Sequence, residues 1–163
     1  MKGDLRAAWL TTRLAIRWCG RTVDLDELPG DRFEEGIAPI QLPVCVVTAW
    51  NPNGKFASTG DNRAANHRLR DDLDRGGRIW LPAVGRAADK TWREPGFAVG
   101  ACNEMAAVDL GIAWRQLAVF WVTRDEVAVL PSDRSFRDAR RRGTSMAPSI
   151  GLSYARTLAF EPD

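Results

Sequence analysis

Val44-Cys45-Val46-Val47-Thr48-Ala49-Trp50-Asn51-Pro52-Asn53-Gly54 is the stretch on which the fold turns. The run from Val44 to Trp50 is β-branched, small or aromatic, too short for a free helix and long enough for a buried strand. Asn51-Pro52-Asn53-Gly54 then stops it with turn chemistry. Downstream, Ser58, Thr59 or Asp61 can cap a helix. In it Asn62, Asn66, Leu69 and Leu73 recur at helical spacing and share one face, and Gly76-Gly77 ends it.

Further along, Arg78 to Val84 reads as a second strand and Gly85 to Arg93 as a loop. Glu94 to Gly100 reads as a third strand, weakened at its start by Pro95 and Gly96. Asn103 caps a second helix with Met105, Ala106, Leu110 and Ala113 on its inner face. Gln116 to Thr123 and Glu126 to Leu130 read as two strands joined by a tight hairpin. This succession predicts an α+β protein with a ferredoxin-like βαββαβ core and an extra C-terminal hairpin strand. Before it, a helix from Asp4 to Leu10 and a strand from Arg13 to Trp18 form an N-terminal helix-strand extension, with a loop over residues 20–43. The expected organisation is one α+β domain over residues 1–131, its core at 44–131, and a loosely ordered or wrapped basic tail over 132–163.

Composition narrows the function classes. With 45% hydrophobic and 27% charged residues the chain is ordinary for a globular domain, and its net charge of +2 does not by itself imply a nucleic-acid or membrane partner. Cys19, Cys45 and Cys102 are odd in number and widely spaced, which fits reduced thiols in the cytoplasm rather than a disulfide framework. The single histidine, His67, excludes a His-rich metal site. Arg6, Arg13 and Arg17 interrupt the early apolar residues, so neither a signal peptide nor a membrane span is expected there. No cofactor motif is present: Asn51-Pro52-Asn53-Gly54-Lys55 lacks the spacing of a phosphate loop.

Five short pieces recur in a familiar order. Thr48-Ala49-Trp50-Asn51-Pro52, Asp61-Asn62, Pro82-Ala83 before Gly85, Trp92 with Glu94 and Phe97, and Gln116 with Ala118 and Phe120 span roughly residues 44–122. Together they resemble a bacterial domain-of-unknown-function family with the pattern T-A-x-N-P, E-N, P-A-x-G, W-x-E-x-x-F and G-Q-x-A-x-F. Asp61 stands where that family tends to have Glu, and Arg115 where it tends to have Gly. The resemblance carries no settled activity.

In a ferredoxin-like sheet the strand directions bring these pieces to one edge. Asn51, Asn62, Arg63, Gly85, Trp92, Glu94 and Gln116 are all assigned there, and that convergence defines the candidate site. Each also has a plainer role. Asn51 can fix a turn, Asn62 can satisfy a loop backbone, Trp92 can anchor its loop, and Gln116 can bond a neighbouring strand end. Glu94 can pair with Arg63 or Arg93. Trp18, Trp50, Trp80 and Trp121 read as packing residues, and Cys102 as a small buried one. Arg134, Arg137, Arg140, Arg141 and Arg142 leave the segment 133–143 net positive, a solvated tail unless nucleic acid meets it. The leading expectation is a domain binding a small polar or anionic ligand, or a partner protein, at the edge carrying Asn51, Asn62 and Glu94. The alternatives are a small hydrolase-like enzyme with Glu94 as general acid/base, and nucleic-acid binding through the arginine-rich tail.

Overall fold

In the computed structural model, which describes residues 2–27 and 37–142, the apolar run at Val44–Val47 is a strand with every residue buried. The strands are β1 Arg13–Trp18, β2 Arg21–Asp24, β3 Val44–Val47, β4 Trp80–Arg86, β5 Arg93–Val99, β6 Ala118–Val122, β7 Glu126–Pro131 and β8 Asp138–Arg141. The helices are α1 Lys2–Thr11, α2 Thr59–Arg75 and α3 Glu104–Ala113. All eight strands form one antiparallel sheet in the order β2-β1-β4-β5-β3-β6-β7-β8. The protein is therefore a mixed helix-and-strand fold, with β3 and β5 paired antiparallel near its centre, Cys45 opposite Val99 and Val47 opposite Phe97.

Side chains alternate along each strand, so the sheet has two faces with separate cores. One face carries Cys45, Val47, Val99 and Val119, and is covered by Leu69 and Leu73 of α2 and Ala107 and Val108 of α3. The other carries Leu14, Ile16, Val44, Val46, Ala83, Ala98 and Val122, and packs against Leu25, Ile37 and Ile40. The sheet curls around this second core. Arginines hold the curl: Arg140 of β8 donates to the Thr12 carbonyl at 2.7 Å and to Asp26 at 2.9 Å, and Arg142 donates to the Leu25 carbonyl at 2.7 Å. Arg6 of α1 pairs with Asp138 across the same seam.

Several elements differ from the sequence expectation. β3 ends at Val47 rather than Trp50, because Thr48, Ala49 and Asn51 make side-chain bonds described below. β4 runs on to Arg86, so Gly85 lies within a strand, not a loop. Pro95 is accommodated because its carbonyl points toward α2 and the end of β3, where β3 has stopped pairing; its missing N–H would face the same way. In α3 the buried positions are Ala107, Val108 and Gly111, while Met105 and Ala113 are exposed. The helix lies too close to the sheet for a larger residue: a Cβ at Gly111 would come within 2.6 Å of the Ser132 hydroxyl. β2 falls inside the expected 20–43 loop, and β8 inside the expected tail. The arginines of that segment are engaged within the protein, Arg137 with Glu104 and Glu126, and Arg134 with Asp109. Residues 143–163 lie outside the described residues. Among the described residues no helix is long and apolar enough to cross a membrane.

Candidate functional site

The cavity begins as a row of missing side chains. Leu14 on β1, Gly85 on β4 and Glu94 on β5 are successive cross-strand partners. Glu94, Gly96 and Ala98 alternate onto the same face of β5, and Ala118 and Phe120 onto that face of β6. Gly85, Gly96 and Ala118 in this row leave the sheet surface bare toward the interior of the curl. A Cβ at Gly85 would meet only ordinary contacts, Thr12 at 3.5 Å, Leu14 at 3.8 Å and Trp92 at 3.9 Å. Gly96 answers a different need, since a Cβ there would lie 2.3 Å from the Val47 carbonyl oxygen. Over the hollow lie Leu5, Ala8 and Trp9 of α1, and around it Trp50, Phe56, Trp92 and Leu117. The cavity is partly open, with Phe56 exposed at its rim, and its volume is about 360 Å³, within the range of small-molecule sites.

Polar groups enter this cavity from one end through a chain of asparagines. Asn66 and Asn62 stand one turn apart on α2, both buried. The Asn66 side chain accepts from the Ala49 N–H at 2.8 Å and donates to the Pro95 carbonyl at 2.9 Å. Thr48 adds its hydroxyl to that carbonyl at 2.6 Å and accepts from the Trp50 N–H at 3.1 Å. Asn62 accepts from the Asn51 N–H at 2.8 Å and donates to the Asn51 side-chain oxygen at 3.2 Å and the Ala57 carbonyl at 3.1 Å. Asn51, held in the left-handed region with φ 48, accepts from the Ala57 N–H at 3.1 Å and donates its amide to Glu94 Oε1 at 2.8 Å. Asparagine is among the few residues that accept this backbone geometry at little cost.

Glu94 is half-buried, and the second carboxylate oxygen, Oε2, has no hydrogen-bond partner among the described residues. Burial pushes its carboxyl above the ordinary range, while the Asn51 hydrogen bond pulls the other way. Its partner is Asn51, not Arg63 or Arg93: a strand side chain turned into the curl is out of reach of arginines on the outer surface. Gln116 donates to the Trp50 carbonyl at 3.0 Å and the Trp114 carbonyl at 3.2 Å, tying the loop after β3 to the start of β6. The Arg115 carbonyl accepts from the Asn53 N–H at 2.6 Å, and Arg115 has φ 55, a geometry in which glycine is at home. Asp61 accepts from the Ser58 hydroxyl at 2.7 Å while Ser58 caps α2.

Asn51, Trp92, Glu94 and Gln116 thus line the cavity. Asn62 does not; it sits on the α2 side of the sheet and acts on the cavity through Asn51. Arg63, the next residue on α2, is turned outward and exposed. Thr48, Asn66, Trp9 and Phe56 were not foreseen, and Trp50, expected as packing, also lines the cavity. Glycines inside strands were the available signal for the hollow. Among the described residues no cluster of three or more His, Cys, Asp or Glu gathers as a metal site.

The fold and site define a class: an antiparallel α+β domain with an aromatic-walled cavity and one asparagine-held carboxylate. Residues 47–119 match the family described as "Protein of unknown function (DUF3293)". That stretch contains Asn51, Asn62, Arg63, Trp92, Glu94 and Gln116. No curated protein and no solved structure matches the chain.

The Glu94 environment gives a pH-dependent expectation. With its folded-state pKa raised, the folded protein keeps the proton where the unfolded chain has released it. Stability from the protonated acid is full below the unfolded carboxylate's pKa and is lost as pH rises through the folded one. Glu94→Gln keeps an acceptor for Asn51 and cannot titrate. Thermal melts should place the variant level with wild type in acid and above it at neutral pH. A variant that falls further behind wild type as pH rises would show that the ionised carboxylate is stabilised by the fold.

Proposed function

We propose that this domain binds a small organic molecule in the cavity, with Glu94 as its polar anchor. The observation that carries this is a half-buried carboxylate, aligned by Asn51 through one oxygen and open through the other, inside a mainly apolar cavity rich in aromatic rings. Fixing such a group costs desolvation, which a ligand can offset. The cavity's lining favours a hydrogen-bond donor over an anion, because Glu94 is the one charged side chain in it among the described residues. The reading is of a ferredoxin-like centre, supported by the order β6-β3-β5-β4 within the sheet, and of a cytoplasmic protein, supported by the exposed free thiol of Cys19.

A fragment screen followed by NMR shifts tests the reading. Binders should perturb Gly85, Trp92, Glu94 and Gln116, and a bulky Gly85→Leu that still melts cooperatively should abolish the effect. Fragments that gather elsewhere, or that bind Gly85→Leu undiminished, would overturn it.

A second reading is general acid/base chemistry at Glu94, favoured by the burial that raises its carboxyl above the ordinary range. Covalent catalysis has less support: the hydroxyl lining the cavity, that of Thr48, donates its proton to the Pro95 carbonyl.

A further inference from the structure

We infer that the group recognised at this site is an organic ammonium, seated between the Glu94 carboxylate and the aromatic walls. This rests on the cavity being a ligand site, and it follows from which polar capacity is left over. The Asn51 oxygen is satisfied twice, by Ala57 and Asn62, and the Thr48 hydroxyl by Pro95. Gln116 spends its amide protons on the Trp50 and Trp114 carbonyls. Among the described residues the acceptors left open to an incoming molecule are Glu94 Oε2 and the Gln116 side-chain oxygen, and the donors left open, the second Asn51 amide proton and the indole N–H groups of Trp9 and Trp92, are all neutral. The Trp50 indole N–H also lacks a partner, but it is sealed from solvent. The charged group among these is an acceptor, so the strongest contact open to a ligand is made by a donor.

Charge and surface chemistry decide between a neutral donor and a cation. Among the described residues no lysine, arginine or histidine lines the cavity to balance Glu94, whereas Trp9, Trp50, Phe56, Trp92 and Phe120 do line it. Aromatic faces attract cations, tryptophan most strongly, and the attraction grows where water is excluded. A charge-assisted N–H···O bond to a carboxylate is also roughly twice as strong as a neutral one. An alkylammonium with an apolar body satisfies the acceptors, the aromatic rings and the uncompensated carboxylate together; a carboxylate or phosphate satisfies none of them.

Titration calorimetry with three probes that share a phenylethyl body tests this: 2-phenylethylammonium, 2-phenylethanol and 3-phenylpropionate. The ammonium should bind about tenfold or more tighter than the alcohol, in keeping with a charge-assisted contact, and the propionate weakest. In Glu94→Gln, shown folded by its melt, the ammonium should lose its advantage over the alcohol. Equal binding of ammonium and alcohol, with both lost in Gly85→Leu, would overturn the ammonium and leave the cavity as a ligand site. Tighter binding of the propionate would likewise overturn it. No binding of any probe, together with a fragment screen that leaves the cavity untouched, would remove the ligand site and this inference with it.

Discussion

Gly96→Ala is expected to destabilise the protein by about 3 kcal/mol or more, because the added methyl would meet backbone rather than a yielding side chain. The clash is with the Val47 carbonyl oxygen at 2.3 Å and Thr48 Cα at 3.1 Å. Neither can retreat without separating β3 from β5, the pairing at the centre of the sheet. For a chain of this length such a loss lowers the melting temperature by roughly 10 °C. Gly85→Ala, on the same face, meets nothing closer than 3.5 Å and should cost less than about 1 kcal/mol. Urea denaturation of the two variants checks the contrast. Equal stabilities would mean that the close approach at residue 96 is not a feature of the fold.

Asn66→Ala should cost about 3 kcal/mol, since it strands the buried Ala49 N–H and removes a donor from Pro95. Asn62→Ala frees Asn51 on both its backbone and side-chain sides, but nearer to solvent, where water can substitute; about 1 to 2 kcal/mol is expected. The two should also differ in kind. Asn62→Ala loosens Asn51 and with it the orientation of Glu94, so ligand affinity should fall further than stability does. Asn66→Ala should act mainly on stability. Melting curves and probe titrations on both variants separate the effects, and an Asn66→Ala protein as stable as wild type would refute the assigned hydrogen bonds.

These asparagines show how far the sequence could be read. Their spacing with Leu69 and Leu73 gave one helix face, and all four are buried on it. What spacing could not give is their partners, which lie in a loop and a strand far away in sequence. The strands β1 and β3 to β7 were legible as apolar or alternating stretches, β5 only by its second half after Pro95 and Gly96. β2 and β8 are short and polar, without a period to detect, and hold their places through contacts such as Arg140 with Thr12. The same limit applies to the site. Asn51, Trp92, Glu94 and Gln116 could be gathered from strand directions alone. Trp9 and Phe56 could not, because nothing local says that α1 roofs the sheet or that the loop after β3 turns its phenylalanine to the rim. Glu94 was expected beside an arginine on general grounds of charge. Its neighbour is decided instead by alternation along β5, which turns it inward, away from the basic surface.

A sheet that curls without closing still has borders, and the unpaired amides of a border strand are templates on which another chain can add. Among the described residues one border is β8, the short, charged run Asp138-Ala139-Arg140-Arg141. Arg140 and its neighbour Arg142 reach back to Thr12, Leu25 and Asp26. A foreign strand arriving along this border would have to detach bonded guanidinium groups and then lie beside uncompensated positive charge. The clasp that sets the curvature of the sheet thereby also discourages runaway β-association between copies of the chain, a protection that a longer and more apolar last strand would have surrendered.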